Sequence, residues 1–102
     1  MRKKLLPKSI KKPPMPKRTD SNQVEIMEAL RLIGASVADT HIVGRGFPDL
    51  TVGYNGKTIL LEVKCGNGRL TKAERAFKDS WKGLYAVVRT PEEAIEMVRF
   101  LL

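Results

Sequence analysis

The chain has one cysteine, one histidine and six aromatic residues among 102. Each scarcity excludes something. Cys65 alone cannot form an intramolecular disulfide, and it has no histidine beside it to activate it as a nucleophile. His41 alone cannot supply a histidine-based metal site and is read as structural. The aromatic residues are too few and too scattered for a platform that stacks single-stranded bases. Long apolar runs are missing as well. Leu5-Leu6 is too short for a signal-peptide core or a membrane span. The expectation is a cytoplasmic protein with no membrane partner.

Acidic residues are absent from the first eighteen positions, where eight Lys and Arg stand with Pro7, Pro13, Pro14 and Pro16. From Thr19 onward eleven basic residues meet eleven acidic ones, so the net charge of +8 belongs to the tail. Such a composition cannot bury a core, and a basic arm suits a polyanion, nucleic acid above all. The expected organisation is a disordered basic tail over residues 1–18 and one folded domain over 19–102. A domain that small has a marginal core, which dimerisation would strengthen.

The element order reads α, weak β, β, β, α, β, α. A helix is expected from about Asp20, where Asp20 with Gln23 fits a capping box and Thr19 and Ser21 are the other caps, carrying Val24, Met27, Leu30 and Ile33 and stopping at Gly34. Ala35 to Val43 reads as a weak strand or a partly extended lead-in. Asn55-Gly56 is the strongest hairpin signal in the chain. It places Tyr54 opposite Lys57 and, counting outward, Asp49 opposite Glu62. Thr71 with Glu74 caps a second helix carrying Phe77 and Trp81, whose rings are read as packing residues. Leu84 to Arg89 reads as a strand, and Thr90-Pro91-Glu92-Glu93 opens the last helix. The fold class is α/β, a mixed sheet flanked by helices, with a βαβ crossover making the last two strands parallel.

The hairpin register carries the chemistry. Two carboxylates directly opposite each other repel unless something positive joins them. Asp49 and Glu62 are therefore read as ligands of a divalent cation, with the Val63 carbonyl as a third oxygen. Lys64 shares their face, where it can orient an attacking water or stabilise developing negative charge. Pro48 fixes the entry to the strand. This set suits metal-assisted cleavage of phosphodiesters. Arg45 between two glycines, and Arg69, Lys72 and Arg75 around the second helix, are the expected nucleic-acid contacts, with a turn and a solvated helix face as their plain alternatives.

At Pro48-Asp49, Glu62-Val63-Lys64, Leu70-Thr71 and Val87-Val88-Arg89-Thr90-Pro91-Glu92-Glu93-Ala94 the chain resembles a VRR-NUC domain of the PD-(D/E)xK nuclease superfamily, in its stand-alone phage or prophage form. The resemblance covers 20–102. It implies a restriction-endonuclease-like fold and an endonuclease that cuts DNA with Mg²⁺ or Mn²⁺. It also implies a homodimer similar to Holliday-junction resolvases, with four-way or other branched DNA among its substrates. A helix acid often assists such a site, and Glu25 is taken for that role with Asp20 as its rival. Some relatives carry Gln where this chain has Glu74. The alternative is a non-catalytic DNA-binding or assembly module on a nuclease-like fold.

Overall fold

The computed structural model describes residues 17–102, with side chains from Asn22 onward. The expected tail lies almost wholly outside the described residues. Helix α1 spans Lys17–Leu32, so it starts inside the segment assigned to the tail and before Asp20. The Asp20–Gln23 box is therefore not the start of the helix. Gln23 is buried and gives its amide to Asp39 Oδ1 at 3.1 Å, a long-range partner in place of a local cap. At the other end, Gly34 N–H bonds to the Arg31 carbonyl and Ala35 N–H to the Leu30 carbonyl, the pair of bonds that closes a Schellman stop.

Strand β1 is Ser36–Asp39, shorter than the expected Ala35–Val43 because His41–Val43 winds into a 3₁₀ turn. Strands β2 (Leu50–Tyr54) and β3 (Lys57–Val63) form the hairpin. Asn55 and Gly56 both take positive φ, +54° and +75°, as a two-residue turn of this hand requires. Tyr54 pairs with Lys57, and Leu50 with Leu61. Helix α2 (Lys72–Ser80) follows, then β4 (Tyr85–Val88) and helix α3 (Pro91–Leu101). The sheet order is β1-β2-β3-β4, antiparallel except for the parallel β3–β4 pair that the crossover demanded.

Alternation along the strands sorts the two faces. Leu50, Val52, Ile59, Leu61, Val63, Ala86 and Val88 join Ile26 and Leu30 of α1 and Ala94 and Val98 of α3 in one buried cluster. On the opposite face, β3 carries Leu60 and Glu62, both buried. There Phe77 of α2 meets Phe47 edge-on at 5.2 Å, stacks on Trp81 at 5.3 Å and lies 6.4 Å from Tyr85. Trp81 ends α2 as its C-cap, and its ring lies against Gly83. Among the described residues no helix is long and apolar enough to cross a membrane.

The loop before β2 is fastened to α2 at Gly46. Its φ is +82°, and an added Cβ would collide with the Ala73 carbonyl, whose carbon would stand 2.6 Å away. Gly46→Ala should therefore cost about 2–4 kcal/mol in chemical denaturation, combining backbone strain with a forced shift of α2. Gly56→Ala meets open space and should cost only about 1 kcal/mol.

Candidate metal and phosphodiester site

Proline at position 48 breaks the β2–β3 ladder where the site begins. The Tyr54–Lys57 pair closes the turn, so hydrogen-bonded pairs recur at Val52–Ile59 and Leu50–Leu61. One step further the register sets Asp49 against Glu62, a non-hydrogen-bonded pair whose side chains approach most closely. The next step sets Pro48 against Val63. Proline has no N–H to return to the Val63 carbonyl. The Val63 N–H is taken instead by Asp49 Oδ2 at 2.9 Å. The Pro48 carbonyl accepts the Thr40 hydroxyl at 2.9 Å, and the Asp49 carbonyl accepts the Thr40 N–H at 2.7 Å. Thr40, just past β1, thus clamps the Pro48-Asp49 peptide from the other side.

Glu62 is only 2% exposed, and its Oε1 is buried with no hydrogen-bond partner. Its Oε2 lies 3.5 Å from Lys64 Nζ. Burial, then the charge and hydrogen bond of Asp49, then Glu74, push its pKa up to about 9 against the pull of Lys64. Burial also works to lower the pKa of the Lys64 ammonium. The hydrogen bond and charge of Glu74, followed by Glu62, outweigh it and leave that pKa raised. The Lys64–Glu74 contact is 2.7 Å. For Glu74, burial raises the pKa, but Lys64 and the Thr71 N–H bring it below the ordinary value. Tyr85 borders the same cluster. Its hydroxyl is buried without a partner, and burial followed by Glu62, Glu74 and Asp49 lifts its pKa to about 12.

The structure brings Asp49, Glu62, Val63 and Lys64 together as the register required. Helix α1 reaches them through Asn22, whose amide donates to the Lys64 carbonyl at 3.3 Å. Glu25 lies within α1 with its side chain exposed, and the side chain of Asp20 lies outside the described residues. Arg45, Arg69, Lys72 and Arg75 are exposed. Because Gly46 packs on Ala73, the Arg45 loop abuts the first turn of α2, next to Lys72. His41 Nδ1 pairs with Asp39 Oδ1 at 2.7 Å. Burial raises the Asp39 pKa, but the bonds from His41 and Gln23 bring it below the ordinary range. Glu74, Thr40, Asn22 and Tyr85 are the site neighbours that sequence reasoning did not place. For Glu74 the signals were its capping role and the Gln that some relatives carry at that position, and neither pointed to Lys64.

Among the described residues, no group of three or more His, Cys, Asp or Glu side chains is arranged to hold a metal ion. The donor set here is different: two carboxylates and a main-chain carbonyl. Mg²⁺ takes such oxygens and fills its other positions with water and substrate phosphate. An unpartnered oxygen on a buried glutamate beside an aspartate fits a cation of that kind. Compared with known proteins, the chain matches no family model, no curated protein and no solved structure.

The raised pKa of Glu62 has a consequence for stability. Folding raises it from 4.5 to about 9, so between these values the folded protein keeps a proton that the unfolded chain releases. Metal-free protein should therefore lose stability as pH rises, by about 1–3 kcal/mol between pH 6 and 8. Melting curves in chelator check this, and Glu62→Gln should flatten the dependence.

Proposed function

We propose that this protein is a metal-dependent DNA endonuclease of the PD-(D/E)xK type, resembling VRR-NUC domains. The observation that carries the reading is the buried Glu62 carboxylate, one oxygen unpartnered, set across the hairpin from Asp49. Charging both groups of such a pair costs stability, because two apposed carboxylates repel and burial penalises their charge. A divalent cation reverses both penalties.

Asp49, Glu62 and the Val63 carbonyl would hold Mg²⁺ or Mn²⁺. When bound, the ion lowers the pKa of a coordinated water and neutralises charge on the phosphate. Lys64 stays protonated beside Glu74 and Glu62, so it acts as a hydrogen-bond donor rather than a base. It donates either to the attacking water oxygen, orienting it, or to a phosphate oxygen as negative charge develops. In the hydrolysis the water oxygen would bond to phosphorus and give up one proton to solvent, the bond to one bridging ester oxygen would break, and that oxygen would take up a proton from solvent as it leaves.

Arg45, Lys72 and Arg75 would meet the DNA backbone on one surface, with Arg69 just before them, and such contacts position a duplex without reading its sequence. A homodimer with two such sites, branched DNA among its substrates, and a phage or prophage origin with a cytoplasmic workplace extend the reading along the same resemblance. The basic residues of the tail would add sequence-independent affinity.

Purified protein with Mg²⁺ or Mn²⁺ should nick or cut DNA, and chelator or Asp49→Ala should abolish this. Lys64→Ala should lose cleavage while keeping DNA affinity. Wild-type protein that binds DNA yet leaves linear, flap and four-way substrates intact with either metal would overturn the enzymatic reading. Removal of residues 1–18 should weaken binding and lower the slope of log affinity against log salt, by about 0.9 for each phosphate that the tail no longer neutralises.

A further inference from the structure

We infer that Glu74 is a positioning residue for Lys64: its carboxylate, fixed to the first turn of α2, holds the lysine head over the Asp49–Glu62 pair. This rests on the nuclease reading above.

Lys64 stands one residue past the end of β3. Its backbone is tied on both sides, the N–H to the Val88 carbonyl at 3.0 Å and the carbonyl to the Asn22 amide at 3.3 Å. Beyond the backbone runs a flexible four-carbon stem, so nothing in the strand fixes where the ammonium goes. An ammonium has three protons. One meets Glu74 Oε1 at 2.7 Å, and a second faces Glu62 Oε2 at 3.5 Å. With two directions set, the third is set too, and it remains for a water or a phosphate oxygen.

Glu74 can impose this geometry because its own position is fixed three ways. Oε1 also accepts the Thr71 N–H at 2.8 Å, and the Glu74 N–H returns a bond to Thr71 Oγ1 at 3.1 Å. Gly46 packs against the backbone of Ala73 and Glu74, which sets the helix against the loop leading to Asp49. The carboxylate is thereby referenced to the same loop that carries the metal-side aspartate. The pair is also largely withdrawn from water, with side chains 16% and 19% exposed, so it is not the screened surface ion pair that contributes little.

A helix cap alone explains less. A capping box accepts Glu or Gln at this position and requires no lysine partner. Three variants separate the roles. Glu74→Ala removes both the cap and the lysine contact. Glu74→Gln keeps a hydrogen-bonding side chain for each. Thr71→Ala weakens the cap but leaves the carboxylate beside Lys64.

Two measurements on the full chain decide it. The first is the ¹⁵N signal of the Lys64 ammonium in metal-free protein. The second is single-turnover cleavage of a linear duplex with Mn²⁺, set beside duplex affinity in Ca²⁺. Glu74→Ala should broaden away the Lys64 signal and slow cleavage by about tenfold or more, with affinity held within about twofold. Glu74→Gln should recover the rate to within about threefold of wild type, and Thr71→Ala should lower the melting temperature while keeping signal and rate. Glu74→Ala with an unchanged signal and rate overturns the inference. So does a Thr71→Ala variant that loses signal and rate as fully as Glu74→Ala, since the cap alone would then be responsible. Wild-type protein that cuts no DNA overturns the nuclease reading, while the ammonium signal still decides whether Glu74 fixes Lys64.

Discussion

A single buried carboxylate governs the arrangement of this molecule. Glu62 lies on the central hairpin, almost fully removed from water, with Asp49 across from it and one lysine to offset the two. Placing an ionisable group there costs folding energy unless its charge is matched or its proton retained. Without metal, burial and the neighbouring Asp49 favour the protonated form of Glu62. The neighbourhood is otherwise built to present oxygen atoms. Pro48 has no N–H for the Val63 carbonyl, the Asp49 carboxylate takes the Val63 N–H, and Thr40 holds the Pro48-Asp49 peptide.

The two faces of the sheet divide the labour. The α1–α3 face is a continuous aliphatic core that fixes the register of every strand. A slip of β2 by one residue against β3 would turn Leu50 and Val52 away from that core while Leu61 kept its place, and would also put Asp49 and Glu62 on opposite faces. Stability of the core and geometry of the site are therefore one constraint. The α2 face supplies burial, through Phe47, Phe77 and Tyr85, and charge, through Glu74.

Much of this was legible in the sequence, for local reasons. Asn55-Gly56 admits a narrow set of turns, so the pairing of Tyr54 with Lys57 follows, and one step beyond the last paired residues, Leu50 and Leu61, Asp49 comes beside Glu62. The Thr71–Glu74 box and the Thr90-Pro91 start are short-range devices, and both helices begin where those residues put them. Partners distant in sequence were not legible. Gln23 looks like a cap residue for α1, yet it reaches Asp39. Glu74 satisfies its cap and also meets Lys64, ten residues earlier, because α2 folds back over the sheet. The burial of Glu62 has the same origin: alternation along β3 marks its face as polar, yet Asp49, Lys64, Glu74 and Tyr85 from other parts of the chain gather around it.

The most direct test is crystallographic. Crystals soaked with Mn²⁺ should show an anomalous peak bounded by the Asp49 carboxylate, the Glu62 carboxylate and the Val63 carbonyl, at about 2.1–2.3 Å from each oxygen. A peak there would mean that the buried carboxylate pair is a cation site. Manganese bound elsewhere, with the Asp49–Glu62 gap empty at saturating metal, would contradict the account.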